Sequence, residues 1–150
     1  MKVEIKNVKY SKFASQETNC FEATVYIDGK KEGMVSNSGQ GGCNMYHPSS
    51  LGTRLDEYAR TLPDIDVSHF HNDGGVHTMK QSADTVIDDL LEKALQKKRY
   101  AKKTLYRIPG FNYSSPDEFH EMKCKFSPEV KAVLVEKYGE GVRILNEEFE

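Results

Sequence analysis

The stretch that most limits how this chain can fold runs from Phe21 to Gly29. Phe21, Ala23, Val25 and Ile27 alternate with Glu22, Thr24 and Tyr26. A period of two sends alternate side chains to opposite faces, which is the pattern of a half-buried strand. Asp28 and Gly29 both tolerate positive φ, the requirement of a tight hairpin turn. The chain is therefore expected to return antiparallel over Lys31–Ser36, with Gly33 weakening that strand. Upstream, Val3 and Ile5 alternate with polar neighbours, and Val8 and Tyr10 resume the alternation after Asn7, predicting a first strand bulged near that asparagine.

Beyond the hairpin the period changes. Leu51, Leu55, Tyr58, Ala59 and Leu62 share one helical face, with Ser49 or Ser50 available as cap and Pro63 as terminator. Residues 63–81 carry little pattern beyond a short strand at Ile65 and Val67. A second helix is expected over Ser82–Lys103, where Val86, Ile87, Leu90, Leu91, Ala94 and Leu95 form a broad apolar face. A strand over Thr104–Ile108 ends at Pro109-Gly110. A polar loop containing Pro116 leads to residues 119–126, where Met122, Cys124 and Phe126 share a face. Ser127-Pro128-Glu129 starts a third helix with a cap, a first-turn proline and an acid at the positive end. Val130, Val133, Leu134 and Tyr138 would be its buried stripe, Gly139 its left-handed end, and Val142 and Ile144 a last short strand. The order β-β-β-α-α-β-β-α-β, with hairpins rather than regular βαβ units, predicts an α+β fold. Its sheet would be mixed and mainly antiparallel, with two or three helices packed on one face. Val25, Ile27, Leu55, Leu90 and Val133 are the expected core.

At 150 residues the chain suits a single domain, 1–150, able to bury about two-thirds of its unfolded surface without staples. The formal net charge of -2 gives no global attraction to nucleic acid or membrane. Cys20, Cys43 and Cys124 are odd in number, widely spaced and without a CxxC, which favours reduced thiols and a cytoplasmic location. No apolar run reaches membrane-spanning length, and Met1-Lys2-Val3-Glu4 lacks the apolar core of a signal peptide.

The stretch 36–48, from Ser36-Asn37 to His47-Pro48, holds three glycines in four positions, Gly39, Gly41 and Gly42. A glycine-rich loop running from a strand into a helix start can present backbone N–H groups and a positive dipole to an anion. Its spacing matches neither the P-loop nor the dinucleotide fingerprint. Four of the five histidines lie in this loop or in the one around Asn72-Asp73-Gly74-Gly75. Gly41, Gly42, Asn44, Tyr46 and His47 from the first loop, with His69, Phe70, His71 and His77 from the second, form the expected ligand site. The imidazoles would add donors, and Tyr46 and Phe70 would stack on a base.

Phe13-Ala14-Ser15-Gln16-Glu17-Thr18, Cys20-Phe21-Glu22-Ala23, Asp28-Gly29-Lys30 and Gly41-Gly42-Cys43-Asn44 together resemble small proteins of unknown function from phages and other bacterial mobile elements. Ser127-Pro128-Glu129-Val130-Lys131 and Lys137-Tyr138-Gly139 resemble them in the same way. The resemblance covers about half of the chain and implies context rather than chemistry: a small cytosolic binding protein that blocks a host defence protein or sequesters its nucleotide signal.

The reading is thus a binding protein without catalytic turnover and without a cofactor, taking a small, nucleotide-like anion or a host protein. Self-association stays open. Two alternatives use other chemistry. Cys43, His47, His69 and His71 could converge on a metal in a hydrolase, although no zinc spacing is present; Cys43 alone could serve as a nucleophile, although no family motif surrounds it. Lys93, Lys97, Lys98, Arg99, Lys102 and Lys103 place six cations in eleven residues, a protein-interaction or nucleic-acid surface. Asp84, Asp88, Asp89 and Glu92 precede them on the same helix, the order its dipole favours, so a solvated helix end is the simpler account.

Overall fold

The computed structural model describes residues 1–115 and 118–148; Pro116, expected in a polar loop, lies outside them. The fold is α+β. Its contacts divide the chain into two compact units, Met1–Glu92 and Lys93–Glu150.

In the first unit, β1 (Val3–Ser11), β2 (Cys20–Ile27), β3 (Lys30–Ser38) and β4 (Met45–His47) form an antiparallel sheet in that order. The hairpin turn has φ 51° at Asp28 and 82° at Gly29, as its composition requires. Asn7 has φ 54°, and the register of β1 against β2 shifts between Lys6 and Lys9, so the bulge sits where the alternation breaks. β3 pairs with β2 from Lys30 to Ser38, but the register shifts between Lys31 and Gly33, so the strand is irregular at the glycine, as expected. Phe21, Ala23, Val25, Ile27 and Val35 are buried, together with Leu51, Leu55 and Ala59 of α1 (Ser49–Ala59). The unpatterned segment after α1 forms a minimal hairpin, β5 (Ile65–Asp66) with β6 (Thr78–Met79), closed by a 2.8 Å bond from Val67 N–H to the His77 carbonyl. The second long helix, α2, spans Ala83–Tyr100 and buries Ala83, Val86, Ile87 and Leu91. Leu90 is only half-buried, a correction to the expected core.

The second unit holds a three-stranded antiparallel sheet in the order β8-β7-β9: β8 is His120–Met122, β7 is Thr104–Arg107 and β9 is Arg143–Ile144. The strands thus fall into three sheets, and every described ladder is antiparallel. In α3 (Pro128–Tyr138) the Ser127 hydroxyl accepts from Val130 N–H at 3.3 Å, and Gly139 ends the helix at φ 85°. Leu134 packs with Tyr106 and Ile144 in a small core. Val133 is 53% exposed, another correction: the stripe turns toward Val130, Leu134 and Tyr138 and leaves Val133 on the solvent side. A last turn, α4 (Leu145–Glu148), follows β9. Its Asn146 accepts from Leu105 N–H at 2.8 Å and donates to the carbonyls of Lys103 at 2.9 Å and Tyr100 at 3.3 Å. One side chain thereby satisfies the Tyr100 carbonyl that the end of α2 leaves open and ties the turn after it to β7. Among the described residues no helix is long and apolar enough to cross a membrane.

Leu134→Ala should cost about 2–5 kcal/mol in chemical denaturation, the range for emptying a buried leucine site. Val133→Ala should stay within about 0.5 kcal/mol, as exposed substitutions do. Equal losses at the two positions would refute the stripe described here.

Candidate binding recess at the glycine-rich loop

Asn37, buried near the end of β3, organises the glycine-rich loop. Its Oδ1 accepts from the Thr18 hydroxyl at 2.7 Å and from Gly39 N–H at 2.9 Å. Its Nδ2 donates to the Gly42 carbonyl at 3.4 Å and to Asn44 Oδ1 at 3.0 Å. That exhausts the capacity of a carboxamide. Asn44, also buried, passes the chain of bonds to α2: its Nδ2 donates to Asp88 at 3.0 Å and its backbone N–H to Asp84 at 3.2 Å. Tyr46 on β4 donates its hydroxyl to the other Asp84 oxygen at 2.7 Å.

Burial, and then the Asp84 carboxylate it donates to, push the Tyr46 phenol far above its ordinary value. Tyr46 is therefore a donor here and no general base. Burial also raises the Asp88 carboxyl; the Asn44 bond opposes this and the charge of Asp84 adds to it.

Several backbone donors of this region have partners within the chain. Gln16, Glu17 and Thr18 point their N–H groups at one acceptor, the Gly39 carbonyl, at 3.0, 2.9 and 3.4 Å. Successive N–H groups of this kind make an anion-binding concavity, and here the loop's own carbonyl fills it. A Cβ on Gly39 would lie 2.2 Å from the Ala14 carbonyl oxygen, so close backbone approach accounts for that glycine. Gly41 N–H donates to Thr18 at 3.3 Å, and a Cβ there would meet only the mobile end of Glu17. Gly42, at φ 86°, faces open space. Its conformation rather than any neighbour requires glycine.

Beside the loop lies a recess of about 420 Å³, lined by Glu17, Thr18, Asn37, Asn44, Asp84, Asp88 and Glu92 among others. Its charge is negative, which runs against the anion expected from the glycines. The loop also enters β4 before α1, and no side chain caps α1 after Pro48, so neither Ser49 nor Ser50 caps it as expected.

Comparison with protein-family models, curated proteins and solved structures finds no match.

Of the nine residues expected at the ligand site, only Gly42 and Asn44 line the recess, while Tyr46 holds one of its acids from behind. Gly41 belongs to the loop backbone, and His47 is exposed at the end of β4. His69, Phe70 and His71 are exposed on and after a short 3-10 turn, with Phe70 at 75%. His71 stacks on His77 at 3.8 Å, and His77 meets Asp73 at 2.9 Å. Cys43, His47, His69 and His71 do not converge: among the described residues no three or more such side chains are placed to hold a metal. The fifth histidine, His120, packs against Tyr106, Phe111 and Tyr113. The basic helix end is partly neutralised, since Arg99 pairs with Glu121 and Lys103 reaches the same carboxylate at 3.3 Å.

The residues missed were Asn37, Asp84 and Asp88. A signal for the acids was present: Asp84, Asp88 and Glu92 recur at i, i+4, i+8, a like-charge stripe that costs helix stability. Asn37 falls within the 36–48 stretch, but no spacing marked it out from its neighbours there.

Gly39→Ala should destabilise the fold by about 3 kcal/mol or more, through clash and left-handed strain together. Gly42→Ala should cost only the strain, about 1–2 kcal/mol. Chemical denaturation of both variants checks the contrast, and a Gly42 loss as large as the Gly39 loss would contradict it.

Asp88 gives a pH prediction. Its carboxyl titrates higher in the folded chain than in the unfolded one, so the folded state favours its protonated form. Stability from this group falls as pH rises from the ordinary carboxylate range through the folded value. Asp88→Asn should therefore match or exceed the native chain in stability at neutral pH, and the difference should close on acidification. A variant less stable than the native chain at neutral pH would refute this account.

Proposed function

We propose that the chain is a non-catalytic binding protein whose recess takes a cationic group, the lysine or arginine side chain of a partner protein. One observation carries the reading: Asp84 and Asp88 stand one helical turn apart, and the donors described for them, Asn44 N–H, Asn44 Nδ2 and the Tyr46 hydroxyl, are all neutral. Neutral donors fix the carboxylates without cancelling their charge. A guanidinium or ammonium entering the recess would do both, with charge-assisted bonds stronger than neutral ones.

The surrounding groups support binding over turnover. The Thr18 hydroxyl donates to Asn37, and the Ser15 hydroxyl donates to the Ser11 carbonyl at 2.6 Å, so both serve the loop's structure. The recess volume is at the small end of ligand sites. Capture of a host defence protein in the cytoplasm, the role that the resemblance to phage and mobile-element proteins implies, belongs to the same proposal. The nucleotide arm of that role is disfavoured at this recess by its acids.

The test is an amide-resolved NMR titration with acetyl-arginine-amide and, separately, with ATP. The arginine probe should shift the Thr18 and Asn44 amides saturably. Glu17→Gln combined with Glu92→Gln should weaken that binding while leaving the fold intact. No saturable shift with the arginine probe, or ATP shifting these amides instead, would overturn the proposal.

A further inference from the structure

The second unit contains an open groove of about 720 Å³ that shares no residue with the recess. Ala94, Tyr100, Ala101 and Phe126 give it an apolar floor, and Lys97 and Lys125 stand on its rim. Phe126 and Tyr100 are half-buried, so each still offers ring surface. Partial burial raises the Tyr100 phenol, which stays a neutral, largely apolar wall at physiological pH.

The charge around the groove is distributed in a way that selects its occupant. Arg99 and Lys103 both pair with Glu121, and Glu148 on the rim pairs with Arg143 at 2.9 Å. Among the described residues Lys97 and Lys125 have no such acidic partner. Within the groove's lining, Lys97 and Lys125 thereby form a short cationic patch over an apolar floor. A nucleic-acid strand needs cations that follow successive phosphates and faces for successive bases to stack on. A short acidic segment bearing one large apolar side chain needs a seat and two cations, which is what the groove offers. Lys93 and Tyr100 bound it along α2, roughly 10 Å apart by helix rise. That distance matches about three extended residues.

We propose that this groove docks an acidic linear segment of a partner protein, its apolar side chain seated on Phe126 and Tyr100 and its flanking carboxylates held by Lys97 and Lys125. An anchor residue in an apolar seat supplies most of the affinity in such contacts, and the rim charges supply orientation and salt dependence.

The proposal is tested by fluorescence anisotropy with three labelled probes: a short peptide of one phenylalanine flanked by glutamates, the same peptide with glycine in place of phenylalanine, and a short oligothymidylate. The phenylalanine peptide should bind saturably and weaken as salt rises. Replacing Lys97 and Lys125 together by glutamate should lower its affinity by about tenfold or more. Ala101→Trp fills the seat and keeps the charges, and it should also abolish binding. Both substitutions fall at exposed positions, and retained far-UV circular dichroism checks that the fold survives them. No saturable binding of the phenylalanine peptide, equal binding of the glycine peptide, or tighter binding of oligothymidylate overturns the proposal, and each is read on the native chain alone. Because the groove and the recess share no residue, either reading can fail without the other.

Discussion

The Asn37–Asn44 carboxamide pair is the constraint on which the loop, the recess and the start of α2 all depend. A carboxamide can accept and donate at once, and Asn37 does both twice, tying the Thr18 segment, the glycine-rich turn and Asn44 together. Asn44 then reaches across forty residues of sequence to Asp84 and slightly further to Asp88. A carboxylate at position 44 would add a third negative charge beside Asp84 and Asp88 and would remove the Nδ2 donor that holds Asp88; at position 37 it would remove the donor to Asn44 and Gly42. An aliphatic residue would leave buried polar groups without partners, at about 1–3 kcal/mol each. Few side chains other than asparagine meet both demands.

The same bonds decide what the glycines mean. Read from sequence, a glycine-rich loop before a helix suggests free N–H groups aimed at a ligand. In the fold the N–H groups of Gly39, Gly41 and Asn44 close on Asn37, Thr18 and Asp84, within the protein itself. The glycines let two loops approach each other, and the surface left open carries carboxylates. The surface beside these three donors takes the charge of its neighbours, and these neighbours are acids.

What was legible in the sequence was local. The Phe21–Ile27 alternation, the Asp28-Gly29 turn, the break at Asn7 and the Ser127-Pro128 cap each express a rule that acts within a few residues, and each took the predicted form except that Thr24, on the polar side of the alternation, is buried as well. Val133 shows the limit: a helical stripe fixes spacing, yet which edge of it faces the core depends on what packs there, here Tyr106 and Ile144. The recess was illegible for a related reason. Asn44 and Asp84 are distant in sequence, and no periodicity reports that they touch. The histidines stand out by type and clustering, yet the rings pair locally, His71 with His77 and His69 with Phe70, and do not converge. The acid stripe was visible as spacing, but the helix dipole offered an easy explanation for it.

That explanation covers Asp84 only. The dipole favours acids within the first turn of a helix and fades beyond it. Asp84 is in that turn, whereas Asp88 lies a full turn further along. There the dipole contributes little, partial burial disfavours the charge, and Asp84 repels it. The one donor described for it, Asn44, is neutral and opposes the shift without reversing it. Glutamine or asparagine at position 88 would avoid these costs while still accepting from Asn44. A positive charge supplied from outside the chain would offset these costs, and this is what the proposed cationic side chain would bring to the recess.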